Sequence, residues 1–358
     1  MKKVLDITPA ENNARNSEGS FIRLDDGRIM FAYSRYSTNC PYDDANCDIA
    51  VIFSSDEGES WTEPEIIVKA EEFGTKNVMS TSAIYQNDGR IGIYFLIKEN
   101  NGTTTIGRTL TKDGENFETE RCRLKAISAC YVINNDRFIR LSDGRIAAPA
   151  ASLPWEDGKG YGDLCVTSLF VSSDDGLTFN PTKPCLTIPY VRNEPSVDLL
   201  GGMQEPGVIE FKDKTLWLWA RTRMGFQYES FSRDFGETFT YPQPSQFTSP
   251  CSPMEVARNP ENDDLYAVYN PVPNYNGREI KEGTCGRTPF VIRKSTDDGR
   301  TWGELTEIEN DEKMGYCYPA MFFTKDKSVL VGYCCGGAEE GFCLHRLRIM
   351  KINLNEIK

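Results

Sequence analysis

Ser54-Ser-Asp-Glu-Gly-Glu-Ser-Trp61 decides how this chain is read, because it returns. Ser172-Ser-Asp-Asp-Gly-Leu-Thr-Phe179 and Ser295-Thr-Asp-Asp-Gly-Arg-Thr-Trp302 follow the same pattern, as does Ser232 to Phe239, and Thr111 to Phe117 follows it with one residue fewer. The central aspartates, Asp56, Asp113, Asp174, Asp234 and Asp297, are separated by 57, 61, 60 and 63 residues. A constant motif at near-constant spacing marks stacked supersecondary units. The motif is turn chemistry: glycine supplies a positive φ, aspartate bonds nearby amides, and the following aromatic packs inward. It is expected as a hairpin turn between the two outer strands of each unit, with a structural role and no chemistry of its own.

Working outward, a second series falls between these boxes. It comprises Leu24-Asp-Asp-Gly-Arg-Ile-Met-Phe-Ala-Tyr33, Asn87-Asp-Gly-Arg-Ile-Gly-Ile-Tyr94, Leu141-Ser-Asp-Gly-Arg-Ile-Ala-Ala148, Phe211-Lys-Asp-Lys-Thr-Leu-Trp-Leu-Trp219, Asn262-Asp-Asp-Leu-Tyr-Ala-Val-Tyr269 and Phe323-Thr-Lys-Asp-Lys-Ser-Val-Leu-Val331. Asp-Gly between β-branched and aromatic runs is a strong hairpin signal. Six such hairpins against five boxes predict an all-β chain: a six-bladed β-propeller of four-stranded antiparallel blades, one domain over residues 1–358. The stretch Lys3-Val-Leu-Asp-Ile7 is expected to pair with the last blade and close the ring.

Composition narrows the function. The 358 residues carry 53 acidic and 40 basic side chains, a formal net charge of -13. An acidic surface repels phosphate backbones and anionic lipid, so neither nucleic acid nor a membrane is an expected partner. An anionic sugar would need a local basic pocket. No apolar run approaches the length of a membrane span, and residues 1–18 do not read as a signal peptide, so a cytoplasmic location is expected. The twelve cysteines include no Cys-x-x-Cys pair and mostly sit in strand-like contexts. They read as buried small hydrophobes, with a Cys40–Cys47 disulfide as the alternative. A single histidine, His345, argues against a zinc site and against histidine as general base. No cofactor is implied.

The boxes resemble the Asp-boxes of the sialidase (neuraminidase) superfamily, and the resemblance spans the chain. It implies an active site at the propeller axis: an arginine triad for a substrate carboxylate, a tyrosine nucleophile with a glutamate partner, and an aspartate acid/base. A neutral phenol can attack an anionic sugar without the repulsion a carboxylate would meet, which makes this chemistry an exception to the two-carboxylate rule. The resemblance matches the nucleophile to Tyr318, with Tyr316 as a rival expected on the same strand face. The partner matches Glu205 in Gly201-Gly-Met-Gln-Glu205. The acid/base matches Asp43, which the spacing to the first box favours over Asp44, and it would need a raised pKa. Arg287 resembles the third triad arginine and Arg15 the first, while Arg35 resembles a further arginine near the carboxylate. Gln227 stands where the second triad arginine is expected, with Arg221 and Arg223 nearby but out of register. A glutamine there keeps a donor and removes a charge. Trp155 is expected to stack on a sugar ring, and Asn77, Asn135 and Asn274 sit in segments that could line the pocket. The implied function is a retaining exo-glycosidase acting on a terminal acidic sugar of a glycan. The competing readings are a glycan-binding propeller without catalysis, a glycosidase for a non-sialic sugar, and an interaction scaffold.

Overall fold

A computed structural model describes residues 1–100, 102–153, 155–156, 160–161, 164–188, 201–272 and 279–358. Five antiparallel sheets have four strands each, and each is built on one hairpin of the second series. The first blade runs Arg15–Arg23, Ile29–Tyr36, Cys47–Ser54 and Glu65–Val68; the second runs Val78–Tyr85, Ile91–Asn100, Thr103–Thr111 and Glu118–Arg121. The fourth runs Gln204–Glu210, Leu216–Arg221, Phe226–Ser232 and Gln243–Thr248; the fifth runs Glu255–Arg258, Leu265–Tyr269, Phe290–Ser295 and Thr306–Glu309. The last takes Met314–Phe323, Ser328–Gly337 and Arg346–Asn353 from the C-terminal end and Lys2–Ile7 from the other, with Lys2 opposite Lys351 and Ile7 opposite Leu347. This closure explains five boxes against six hairpins: the last blade's outer strand comes from the N-terminal segment, so no box turn is needed to reach it.

The third sheet departs from expectation. It has seven strands instead of four, so the expected six four-stranded blades become five, with this wider sheet completing the ring. Its inner edge is split into Cys130–Val132 and Ile139–Arg140, both paired to Ile146–Leu153. Arg123–Leu124 is added parallel to Thr178–Pro181, and Gly201–Gly202 parallel to Leu164–Ser172. The split has a physical use. The intervening residues leave the sheet and enter the axis, where Asn135 Nδ2 donates to the carbonyls of Gly19 (2.8 Å) and Tyr318 (3.3 Å). Asp136 accepts from Ser20 Oγ at 2.6 Å and from the Met321 amide at 3.1 Å. Arg137 is ion-paired with Glu255 and donates to the Met254 carbonyl at 2.7 Å. One segment thus cross-links the inner strands of the first, fifth and last blades.

Each box forms the turn between the third and fourth strands of its blade. In the first, Gly58 N–H donates to Ser54 Oγ at 2.8 Å, and the Asp56 carboxylate accepts from the Ser60 amide at 2.9 Å. The shortened box keeps the logic, with Gly114 N–H on Thr111 Oγ1 and the amides of Glu115 and Asn116 on Asp113. The core lies between neighbouring sheets: Met30, Ile49 and Val51 pack on Ile91, Ile93 and Phe95, while Phe31 and Ile52 pack on Leu330 and Ile349. Gly207 lets the Trp219 ring lie against the inner strand, where a Cβ would come within 2.3 Å of it. All twelve cysteines are free, Cys40 and Cys47 included; eight are buried, while Cys40, Cys185 and Cys285 are exposed and Cys251 is half-buried.

Candidate active site

Four inner strands share one irregularity. Strand pairing shifts between Ser17 and Ser20, between Met79 and Ser82, between Gln204 and Gly207, and between Cys317 and Ala320. Within each bulge one non-glycine residue takes a left-handed backbone: Glu18 (φ 54), Ser80 (φ 60), Glu205 (φ 45) and Tyr318 (φ 55). Such conformations cost about 1–3 kcal/mol each and persist where their surroundings over-determine them, often at functional sites. Here all four side chains line a single axial cavity of about 400 Å³, together with Asp43, Asp44, Lys98, Gln204 and Arg221. The bulges are what turn these residues toward the axis.

Inside the cavity Tyr318 Oη donates to Glu205 Oε1 at 2.8 Å. Burial pushes the phenol pKa well up and the Glu205 charge pushes it further, against Arg221 and Arg287, so the phenol is neutral and its proton lies on the line to the carboxylate. Arg221 Nε is 3.1 Å from Glu205 Oε2. The Arg287 guanidinium lies over the Tyr318 ring at 5.7 Å, and its Nε and Nη1 have no hydrogen-bond partner among the described residues. Arg221 and Arg287 both donate to the Cys251 carbonyl, at 3.3 and 3.5 Å, which holds the two cations side by side.

Arg15 is fully buried and heavily engaged. Its Nε donates to Ser17 Oγ (2.9 Å), Nη1 to Asp43 Oδ1 (2.5 Å) and Nη2 to Glu18 Oε2 (3.0 Å). Asp43 sits at the mouth with 65% of its side chain exposed. Partial loss of water there pushes its carboxyl up, but the charge and hydrogen bond of Arg15 more than reverse this and hold it below the ordinary range. The raised pKa that an acid would need is therefore not present with Arg15 in this position. The loop is fixed by Asn77 Nδ2 and Lys98 Nζ, which donate to the Asp43 carbonyl at 3.1 and 3.0 Å.

Other expected positions fall elsewhere. Tyr316 and Tyr318 do not share a face, because the bulge between them breaks the alternation; Tyr316 packs with Phe290 and Tyr333 in the core. Gln227 is fully buried, and its Nε2 donates to Ser252 O (2.7 Å) and Ser249 Oγ (3.2 Å), away from the cavity. Arg221, its partner across the strands, is the residue that faces in. Arg35 stands on the second strand opposite Asp48, half-buried and outside the cavity lining. Trp155 pairs through its backbone with Tyr161, and its side chain lies outside the described residues, as does Asn274. Sequence reasoning missed Glu18, whereas Ser80 closes the Asn77-Val-Met-Ser80 segment expected near the pocket, and it lines the cavity with Met79. The available signal for Glu18 was a lone acidic residue beside a glycine within a strand that is otherwise buried.

A larger groove of about 970 Å³ lies between the fourth and fifth blades, lined by Phe211, Trp217, Glu229 and Asp298. Glu229 there is pushed up to about 7 by burial, against a hydrogen bond from Trp217 Nε1 at 3.0 Å. No tyrosine, cysteine or histidine lines this groove among the described residues, so the axial cavity, with its buried Tyr318–Glu205 pair, is the candidate site. Among the same residues no cluster of side chains suits a metal ion, and no helix is long and apolar enough to cross a membrane.

Comparison with known proteins adds the family. Residues 27–331 match the model of the BNR repeat-like domain. The chain belongs to that family. A microbial sialidase from Hadza, Hz136, is 15% identical with a TM-score of 0.73, over 97% of this BNR-repeat chain and 67% of its own. A protein of unknown function from Dyadobacter fermentans is 18% identical with a TM-score of 0.71, over 98% and 99%. The intramolecular trans-sialidase of Ruminococcus gnavus is 12% identical with a TM-score of 0.68, over 99% and 98%. At these identities the likeness is one of fold: a sialidase-like β-propeller. No curated protein matches the chain.

Proposed function

We propose that this BNR-repeat protein is a retaining exo-glycosidase that removes a terminal acidic sugar, sialic acid or a relative, from a glycan. The observation that carries the reading is the buried Tyr318–Glu205 hydrogen bond of 2.8 Å in the axial cavity. In this reading Tyr318 Oη attacks the anomeric carbon while Glu205 takes the phenol proton. Asp43, once Arg15 releases it, protonates the leaving oxygen and later activates water. Arg221 and Arg287 hold the sugar's carboxylate, with Arg15 beside them. Neither nucleic acid nor a membrane has a role in this reading, and a cytoplasmic site of action is part of it.

The test is release of methylumbelliferone from the α-glycoside of N-acetylneuraminic acid by the wild type beside Tyr318→Phe. Turnover by the wild type alone supports the reading. Turnover by both removes Tyr318 as nucleophile, and turnover by neither removes the sialoside. A glycosidase for a different sugar is the second reading, favoured by one observation: Arg15, the expected first clamp residue, is already shared by two carboxylates.

A further inference from the structure

Glu18 is a buried charged residue of the cavity to which the reading above gives no task. It is 4% exposed, projects from its own bulge, and accepts from Arg15 Nη2 and Ser17 Oγ at 3.0 Å each and from Ser80 Oγ at 3.4 Å. A guanidinium has five N–H donors. Those of Arg15 go to Ser17 Oγ, Asp43 Oδ1, the Pro41 carbonyl and Glu18 Oε2, which leaves one. A sugar carboxylate approaching Arg15 therefore meets two carboxylates already bonded to it and almost no free donor. Asp43 is largely in water, where its charge is screened. Glu18 is not, and an uncompensated buried charge is expensive.

We propose that Glu18 admits an acidic sugar to Arg15 by taking up a proton as that sugar binds. Protonation removes the opposing charge. It also turns the carboxyl into an O–H donor to the incoming carboxylate, a short charge-assisted contact. The surroundings make Glu18 the group to take this proton. Arg15 and Ser17 face it from its own strand and Ser80 from the second blade, with Asp43 at the loop. Tyr36 and Cys47 face it from the first blade, Glu205 from the fourth, and Tyr318 and Cys334 from the last. Burial pushes its carboxyl up, Arg15 opposes, and Asp43 and Glu205 push it further up. Tyr36, Cys47, Tyr318 and Cys334 are all neutral near pH 7 on ordinary values. The proposal rests on the acidic-sugar reading and adds the device by which an apparently occupied arginine accepts its ligand.

The experiment is calorimetric titration with 2,3-didehydro-2-deoxy-N-acetylneuraminic acid, which binds without turnover. It is run in buffers of different ionisation enthalpy from about pH 5 to about pH 8, a range that spans a raised carboxyl pKa. The wild type is expected to take up close to one proton per ligand within that range, with affinity falling toward tenfold per pH unit above it. Glu18→Gln should bind with no uptake and a flat profile, while Asp43→Asn should keep the uptake. Binding by the wild type without uptake, or uptake that persists in Glu18→Gln, overturns the proposal. No binding by the wild type removes the acidic-sugar reading itself, and the proposal with it. If Glu18→Gln does not fold, Glu18→Asp replaces it and should keep the uptake at a shifted pH. The wild-type affinity profile alone still decides, since a flat one is contrary to the proposal.

Discussion

Arg221 Nε lies 3.1 Å from Glu205 Oε2, the oxygen left over once Oε1 has accepted the Tyr318 hydroxyl. One carboxylate therefore serves a phenol on one side and a guanidinium on the other. Replacing it with an amide separates these duties. In Glu205→Gln the amide oxygen can still accept from Tyr318, but it cannot take the proton, and its NH2 faces a cation. Loss of a general base costs about 10²–10⁴-fold in rate. The expected result is a fall in kcat of that order with a folded protein, seen in steady-state kinetics beside an unchanged circular dichroism spectrum. A kcat within threefold of wild type would remove Glu205 from the proton path.

Arg221 and Gln227 face each other across adjacent strands but point to different places. Arg221→Ala should raise KM for an acidic glycoside by about 10- to 150-fold, the equivalent of a charged hydrogen bond of about 1.5–3 kcal/mol. Gln227→Ala removes donors from Ser252 O and Ser249 Oγ inside the protein. It should lower stability by about 1–3 kcal/mol and leave KM close to wild type. The reverse pattern would return Gln227 to the clamp.

How much of this was legible depended on whether a feature was periodic. Box and hairpin recur, so Asp56 and its counterparts announce their turns, and the Lys2–Ile7 strand closes the ring on the last blade, as expected for Lys3 to Ile7. Tyr318, Glu205 and Asp43 could be placed by their order along the chain, and the structure brings all three to one cavity. What could not be read was the bulge. A left-handed residue without glycine does not announce itself, so Glu18 went unnoticed, Ser80 was placed only as part of its segment, and Tyr316 could not be separated from Tyr318 by strand alternation. The register argument that set Gln227 above Arg221 failed for a different reason. The two are directly paired without a register shift, so they share a face of the sheet, and Arg221, one strand nearer the inner strand, is the one that lines the cavity. The segment carrying Asn135, Asp136 and Arg137, expected near the pocket, braces the inner strands instead of lining the cavity, and its departure from the repeat has no second copy to announce it.

The box aspartates should make the fold sensitive to acid. Asp56 is lowered to about 2 by the hydroxyl and amide of Ser60 together with Ser54, and Asp297 to about 2 by the equivalent bonds from Thr301 and Ser295. A carboxylate bound more tightly when ionised contributes stability above its unfolded pKa, near 3.9. That contribution is lost as pH falls through the folded value. Unfolding free energy measured in urea should therefore decline progressively from about pH 4 toward about pH 2. Asp56→Asn should soften the slope. An unchanged slope would mean the box carboxylates do not set acid stability.

The Arg137–Glu255 pair tests the bracing between the third-sheet insertion and the fifth blade. Both side chains are buried, with Arg137 from the third-sheet insertion and Glu255 from the inner strand of the fifth blade. Burial pulls the Arg137 pKa down to about 10, against the charges of Asp136 and Glu205. Breaking a buried pair from one side leaves an unpaired charge and costs about 3–5 kcal/mol, whereas replacing both partners with apolar residues of similar volume is often neutral. Glu255→Gln should therefore shift the urea midpoint strongly, and the double variant Arg137→Met/Glu255→Leu should recover most of the loss. The same double variant separates two roles. If the pair only braces the ring, restored stability should bring back the Tyr318–Glu205 geometry and with it the turnover. If stability returns without turnover, then the charge of Arg137, felt by Glu205, is part of the field in which the phenol proton moves.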